Sequence, residues 1–394
     1  MAETITVSPA RTTAVATLST VACVMPAFLT GASGVFLRAE LGFDEAGLGL
    51  AVAAFMTATA SSSASLGRLA ERLGAGRVLM ASSLCSAAVL LGIAVLASNL
   101  IHLAALLAIG GLCNAVTQPA ANLALARGAV GRPALGFGVK QSGIPLATLL
   151  AGASVPLISL TVGVRWAFAA GAAFAVGVAW FVPRRLAPAR PRSTRRAREG
   201  DAAIGPLIAL TVAMGVGTAA AMSIGAFLVE SAVAGGMAAS AAGWLLVLGS
   251  VSGILSRLSV GWLSDRFPGR ALYTVVVMLS LGSVGYALLS VSGPALVIVG
   301  TLFAYAAGWG WTGLMFFAVV RLNPNAPATA TGIVQAGGAS GAAIGPLVFG
   351  YVVTIASYTV AWSLAAGAAF LSALLVLLSR IWLLRDRARR ETAA

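Results

Sequence analysis

The sequence predicts an all-α membrane protein of twelve transmembrane helices, arranged as two six-helix bundles related by pseudo-symmetry. Three observations predict it. Of 394 residues, 59% are hydrophobic and 9% charged, with a mean hydropathy of +0.97, which lies outside the range of soluble domains. Apolar stretches recur at the length a bilayer demands, about 20 residues for a hydrocarbon core of about 30 Å. The second half of the chain also repeats landmarks of the first.

In chain order the first span, 12–37, is too long for a removed signal peptide and lacks a small-residue cleavage site. Spans 2 and 3, at 46–65 and 78–98, flank a charged turn holding Arg68, Glu71, Arg72 and Arg77. Span 4, 101–125, carries Asn114, Gln118 and Asn122 at i, i+4 and i+8, one polar stripe that must face a partner or a cavity. Span 5, 134–160, is interrupted by Lys140. Span 6, 165–183, ends at an Arg/Pro-rich stretch, 184–203, that reads as a solvated linker. Spans 7 and 8, 204–229 and 240–262, follow; span 8 steps through Gly249, Gly253, Arg257 and Gly261 at i+4 intervals. Span 9 is 271–292. Span 10, 294–320, holds Tyr305, Trp309 and Trp311; spans 11 and 12 are 328–355 and 360–384. The runs are continuous rather than alternating, which excludes barrel strands. The 46 glycines suit close helix packing in lipid. The first dozen residues and the tail after Leu384 read as loose ends.

The net charge of +14 invites a nucleic-acid reading, which its distribution rejects. With the N-terminus cytoplasmic, the cytoplasmic side carries Arg11, Arg68, Arg72, Arg77, Arg127, Arg132, the linker arginines, Arg266, Arg270, Arg321 and Arg380 to Arg390. The other side carries Arg38 and Arg165. This is the positive-inside bias, and it predicts a multi-pass protein with both termini cytoplasmic. Cys23, Cys85 and Cys113 lie inside spans without paired spacing and read as small buried apolar residues. No metal site or cofactor is called for. No HExxH, paired Asp or Ser/His constellation falls in a span, so the chain reads as a carrier and not an enzyme.

At an offset of 194 residues, Gly67-x-Leu69-Ala70-Glu71-Arg72 returns as Gly261-x-Leu263-Ser264-Asp265-Arg266. Gly138-x-x-Gln141-x-Gly143 returns as Gly332-x-x-Gln335-x-Gly337, and at an offset of 196 the string Ala169–Phe174 returns as Ala365–Phe370. Six helices repeated in parallel suit alternating access. The domains are therefore 1–183, a linker 184–203, and 204–394. Over its whole length the chain resembles a major facilitator superfamily transporter. The repeated Gly-x-Leu-[Ala/Ser]-[Asp/Glu]-Arg segment is similar to that superfamily's cytoplasmic gating motif. The resemblance implies that Glu71 and Asp265, with Arg72 and Arg266, cap a helix of the opposite half, where a carboxylate is favoured by the helix dipole. Glu71 replaces the usual Asp, and Pro268 stands at a usual glycine.

Residues that break the repeat are candidates for substrate. Lys140, the one lysine, maps onto Val334, and Arg257 maps onto Ser63. A cation at hydrocarbon depth is costly and is expected to face a cavity. Each lies roughly 8–10 Å in from its span end at about 1.5 Å per residue, and the resemblance implies that spans 5 and 8 meet. A guanidinium fork and a compact ammonium together suit a small carboxylate-like anion. Snorkelling of either side chain to the headgroups is the plainer reading. Asn114 and Gln118 on span 4, Gln141 and Gln335 as repeat mates, and Tyr305 and Trp309 on span 10 complete the candidate binding set; helix packing is the alternative for the last four. All eleven carboxylates fall in loops, termini or span ends, so no buried carboxylate is expected to carry a proton. His102 reads as interfacial. The expected function is secondary transport of a small organic or inorganic anion across a bacterial inner membrane by a monomer with no nucleic-acid partner. Drug or metabolite efflux is the alternative, opposed by the lack of an intramembrane carboxylate to attract a cation and by the absence of Gly-x-x-x-Gly-Pro from span 5, where the nearest text is Gly143-Ile144-Pro145; Gly341-x-x-x-Gly345-Pro346 falls in span 11 instead.

Overall fold

A computed structural model of the chain describes residues 8–128, 138–183, 186, 204–267, 269–291, 293–323 and 327–393, without the side chains of 9, 63–72, 126–128, 265, 327–329 and 386–393. The described residues form helices and no strands. Eleven helices among them are long and apolar enough to cross a membrane, or twelve if one bent pair counts as a span.

Helix α1 (Pro9–Ala32) starts where Ser8 Oγ accepts the Arg11 amide (3.3 Å) and Pro9 presets the first turn. It stops at Ser33, and a short α2 (Gly34–Leu41) follows, closed by Gly42 in the left-handed region at φ +71°. The expected first span, 12–37, is thus broken. Its Gly31–Gly34 run has small residues only, and Gly34 lies so close under Glu230 that a Cβ would stand 2.7 Å from Oε1. Helix α3 (Glu45–Leu73) leaves at 111° to α2 and runs past the expected end at 65 through the whole first copy of the gating motif. Gly74, at φ +85°, turns the chain into α4 (Ala75–Leu96), and α5 (Leu100–Gly128) completes the fourth span.

Span 5 runs from Gly138 to Ser159; the expected residues 134–137 lie outside the described ones. Its regular part, α6 (Gly143–Ser154), loosens into a π turn at Val155–Ser159, where Pro156 has no amide to give the ladder. After α7 (Val164–Phe181), linker 184–203 lies outside the described residues except Leu186, which is buried against Gly76. The later spans are α8 (Ile204–Ala234), α9 (Ala239–Arg266) and α10 (Ala271–Leu289). Span 10 is split into α11 (Pro294–Phe303), a π turn at Ala304–Trp309, and α12 (Thr312–Leu322). Last come α13 (Pro327–Ile355) and α14 (Tyr358–Ala393). The tail does not loosen after Leu384: its Arg, Glu and Ala residues are good helix formers and the helix continues. Of the cysteines, Cys23 and Cys113 are buried as expected, but Cys85 is exposed.

Small residues set the packing. Gly337, Gly341 and Gly345 of α13 rest on the carbonyls of Thr211, Gly215 and Ala219 of α8, a ladder in constant parallel register. Span 5 meets α9 in antiparallel register: Gly138 abuts the Arg257 carbonyl, Thr148 and Ser250 hydroxyls bond at 2.7 Å, and Gly152 and Gly243 each face the other's carbonyl. At the end of the molecule away from the chain termini, Gly31 abuts Ala226 of α8 and Gly49 abuts Pro346 of α13. Backbones approach this closely only because no side chain intervenes. That end is shut.

Candidate functional site

Neither symmetry-breaking cation reaches headgroups. Lys140 is 4% exposed and Arg257 3% exposed. Lys140 Nζ donates to Gln118 Oε1 at 2.5 Å. Gln118 Nε2 donates to Asn114 Oδ1 (3.0 Å), Asn114 Nδ2 to Thr59 Oγ1 (3.4 Å), and Thr59 Oγ1 to the Gly111 carbonyl (2.9 Å). The i, i+4 spacing on α5 stacks the two amides along one face, so the stripe becomes a polar chain with the ammonium at its end. Asn122, the next member of that stripe, is exposed, as is Gln335; Gln141 is half-buried.

Arg257 belongs to a second cluster. Its Nη2 donates to the Trp309 carbonyl (2.7 Å) and Nη1 to the Gly253 carbonyl (3.2 Å), while the guanidinium carbon stands 5.8 Å from the Trp309 ring centroid. The π turn in span 10 carries the acceptor carbonyl at Trp309. Arg257 Nε is buried with no partner among the described residues. The Trp309 ring meets Tyr305 at 5.5 Å and Phe28 of α1 at 5.6 Å, so it bridges the first six spans and the last six. Tyr305 is fully buried; its hydroxyl lies beside the Thr148–Ser250 pair without hydrogen-bond geometry. A crevice of about 10 Å³, room for about one water, runs along Arg257, Gly138, Gly261 and Gly310.

The glycine stripe of α9 admits another helix, as its spacing implied. Gly249 faces the Tyr305 ring, and Gly253 the Tyr305 carbonyl. Among the described residues no carboxylate completes either cluster: the ion pairs there are Arg38–Glu45, Arg38–Glu230 and Arg165–Glu40. A buried charge held by neutral groups alone is expensive to maintain.

The gating motif is described in part. Gly67, Glu71 and Arg72 lie in the last turns of α3, and their side chains, like that of Asp265, fall outside the described residues. Gly261 lines the crevice beside Arg257. Arg266 is exposed at the end of α9, over the Trp262 ring at 5.4 Å.

A further expectation is overturned here. Glu230 on α8 is a buried carboxylate, 3% exposed, ion-paired to Arg38 Nη1 at 2.8 Å. Its placement near a span end in the sequence concealed this, because the short α2 folds Arg38 down over it. His102 is exposed and within 2.9 Å of Ser98 Oγ, as an interfacial residue would be.

The family model of the Major Facilitator Superfamily matches residues 15–326 and 234–394. The chain belongs to that superfamily. It is therefore a multi-pass membrane transporter of small molecules, in keeping with its helices. Solved structures of the superfamily share the fold. A mutant of the nucleoside transporter NupG superposes with a TM-score of 0.70 at 15% identity, over 93% of this chain and 99% of that one. The human organic anion transporter MFSD10 (TETRAN) superposes with 0.65 at 17% identity, over 94% and 100%. No curated protein matches by sequence.

Proposed function

We propose that the chain carries a small organic or inorganic anion, carboxylate-like, across a bacterial inner membrane by alternating access of two bundles, 1–183 and 204–394. The observation that supports this is the pair of buried cations, Lys140 and Arg257, without a carboxylate partner among the described residues. An anion bound between spans 4, 5, 8 and 10 supplies the missing charge. Arg257 Nε is the unpaired donor and the Lys140 ammonium has donors beyond the one given to Gln118. Gln118 and Asn114 orient the ammonium, and Trp309 and Tyr305 wall the guanidinium. The two structural relatives carry names for different substrates, a nucleoside and an organic anion, so the reading rests on this chain's own charges. A thermal-shift screen of carboxylates, cyanate, nitrate and amino acids on purified protein, followed by counterflow in liposomes, tests it. Stabilisation by neutral or cationic compounds alone would favour efflux of that class instead.

Both termini and linker 184–203 face the cytoplasm in this reading, as the arginine distribution requires. Reporter fusions at the linker and the tail are expected to be active only as cytoplasmic reporters; a periplasm-active fusion at either place refutes the orientation. Glu71→Gln or Asp265→Asn is expected to loosen the cytoplasmic gate with folding intact. Cysteine accessibility along that mouth should rise, and unchanged accessibility in both variants removes the gating role.

A further inference from the structure

We propose that Cys85 and Cys113 are a redox-active thiol pair, joined as a disulfide by a quinone-class oxidant dissolved in the bilayer. This is independent of the anion reading, because it concerns the hairpin of α4 and α5 and not the buried cations. The three cysteines of the chain show no paired spacing, yet they fall on three mutually packed helices: Cys23 on α1, Cys85 on α4 and Cys113 on α5. Antiparallel packing of α4 on α5 sets two of them face to face. To one side of the pair, the Ser82 and Thr117 hydroxyls bond at 2.7 Å. To the other, Gly110 lies so near Val89 that a Cβ would stand 3.4 Å from its Cγ1. A disulfide requires facing Cβ atoms, and this register supplies them; the two thiols lie within reach of each other. Cys23 is engaged elsewhere, its Sγ 3.2 Å from the Thr117 hydroxyl. No three such side chains among the described residues converge closely enough to hold a metal ion, so the facing pair is the reactive unit.

The two thiols differ in access. Cys113 is buried, whereas Cys85 is exposed halfway along a membrane-crossing helix, with Leu84 and Leu91 exposed beside it. What reaches Cys85 therefore comes through hydrocarbon. A free thiolate, the usual nucleophile, is disfavoured there, so the oxidant must take protons and electrons together. A quinone does so. The Cys85 sulfur adds to a ring carbon as its proton passes to a quinone oxygen. The Cys113 sulfur then attacks the Cys85 sulfur; the sulfur–carbon bond breaks and its electron pair returns to the ring. The Cys113 proton completes the hydroquinone. One S–S bond forms, and the quinone leaves reduced by the two electrons and two protons that the thiols gave up. The cross-link closes the α4–α5 hairpin within the first half of the chain, so it does not bolt the two halves together. It fixes α5 immediately before Asn114.

The test counts thiols and needs no transported substrate. The full chain in liposomes is treated with a short-chain ubiquinone, whose fully substituted ring resists stable arylation. It is then denatured, alkylated with a maleimide and weighed intact. Of the three maleimide additions that the three cysteines allow, two are expected to disappear, with peptide mapping placing the last on Cys23. Hydroquinone is expected to appear in equal amount. Ferricyanide, which stays in the water, is expected to leave all three thiols free. Cys23→Ala should still lose two additions, whereas Cys85→Ala and Cys113→Ala should lose none. Full alkylation of the wild type after quinone overturns the proposal. So does a disulfide that includes Cys23, a ring adduct that persists in place of the disulfide, or equal oxidation by ferricyanide. Should Cys113→Ala fail to fold, thiol loss in Cys85→Ala, a change on the exposed face, overturns it equally.

Discussion

Replacing Lys140 or Arg257 by alanine is expected to abolish uptake of the carried anion while leaving expression and folding near normal. Each cation is buried and held by neutral acceptors: the Gln118 amide for Lys140, and the carbonyls of Gly253 and Trp309 for Arg257. Truncation therefore orphans no carboxylate among the described residues, and the folded state loses little. The bound anion loses one charge-assisted hydrogen bond, about 1.5–3 kcal/mol, or roughly a tenfold to hundredfold loss of affinity. Lys140→Arg is expected to rescue poorly, because a planar fork does not replace a compact ammonium beside Gln118. The repeat mates supply the control: Val334, fully buried in the α13 packing, and Ser63 should tolerate conservative change. Binding isotherms and counterflow on purified variants measure the effect. A double alanine variant that transports its anion at normal affinity sinks the site.

A leucine at Gly341 is expected to be among the most damaging single substitutions in the protein. Gly341 lies directly on the Gly215 carbonyl, and its neighbours Gly337 and Gly345 lie on those of Thr211 and Ala219. All three contacts involve backbone, which cannot swing aside as a side chain does. A Cβ at the middle rung forces α13 and α8 apart along their length, and the flanking rungs lose contact as well. Overpacking a tight core costs typically about 1–3 kcal/mol; three linked rungs place Gly341→Leu at the upper end or beyond. Loss of a monodisperse peak and a large fall in melting temperature are expected, with Gly341→Ala intermediate. Gly177 and Gly367, helical glycines with nothing within 4 Å, should accept leucine without such a fall. Equal melting temperatures for Gly341→Leu and Gly367→Leu would show that the ladder does not bear on stability.

Helix number and approximate position were legible because lipid imposes one strong local rule, a run of apolar residues about 20 long. Lys140 and Arg257 stood out for the same reason: each is a cation where the rule forbids one, and both are buried. The i+4 spacing on α5 marked Asn114 and Gln118 as one polar stripe, but that Lys140 ends it depends on how span 5 lies against α5, which spacing does not report. What failed has no local signature. Glu230 looked like a span-end residue, and only the fold of α2, 192 residues away in sequence, covers it. Gly34, just after the break at Ser33, lies against Glu230 and Leu48, both distant or unmarked in the sequence around it. The exposure of Gln335 and Asn122 depends on which neighbours are absent, and periodicity cannot report that.

The reciprocal contact of Gly152 and Gly243 in the span 5–α9 seam has a consequence for motion. Each glycine faces the other's carbonyl, so at this point the two backbones touch, flanked by the side chains of Leu246, Val155 and Pro156. Interlocked side chains oppose sliding because each must exchange rotamers to pass its neighbour; here only Leu246, Val155 and Pro156 flank the crossing, and the Thr148–Ser250 hydrogen bond is a polar tie that must break. The seam can serve as an axle, on which one half rolls against the other while the clusters around Lys140 and Arg257 remain intact.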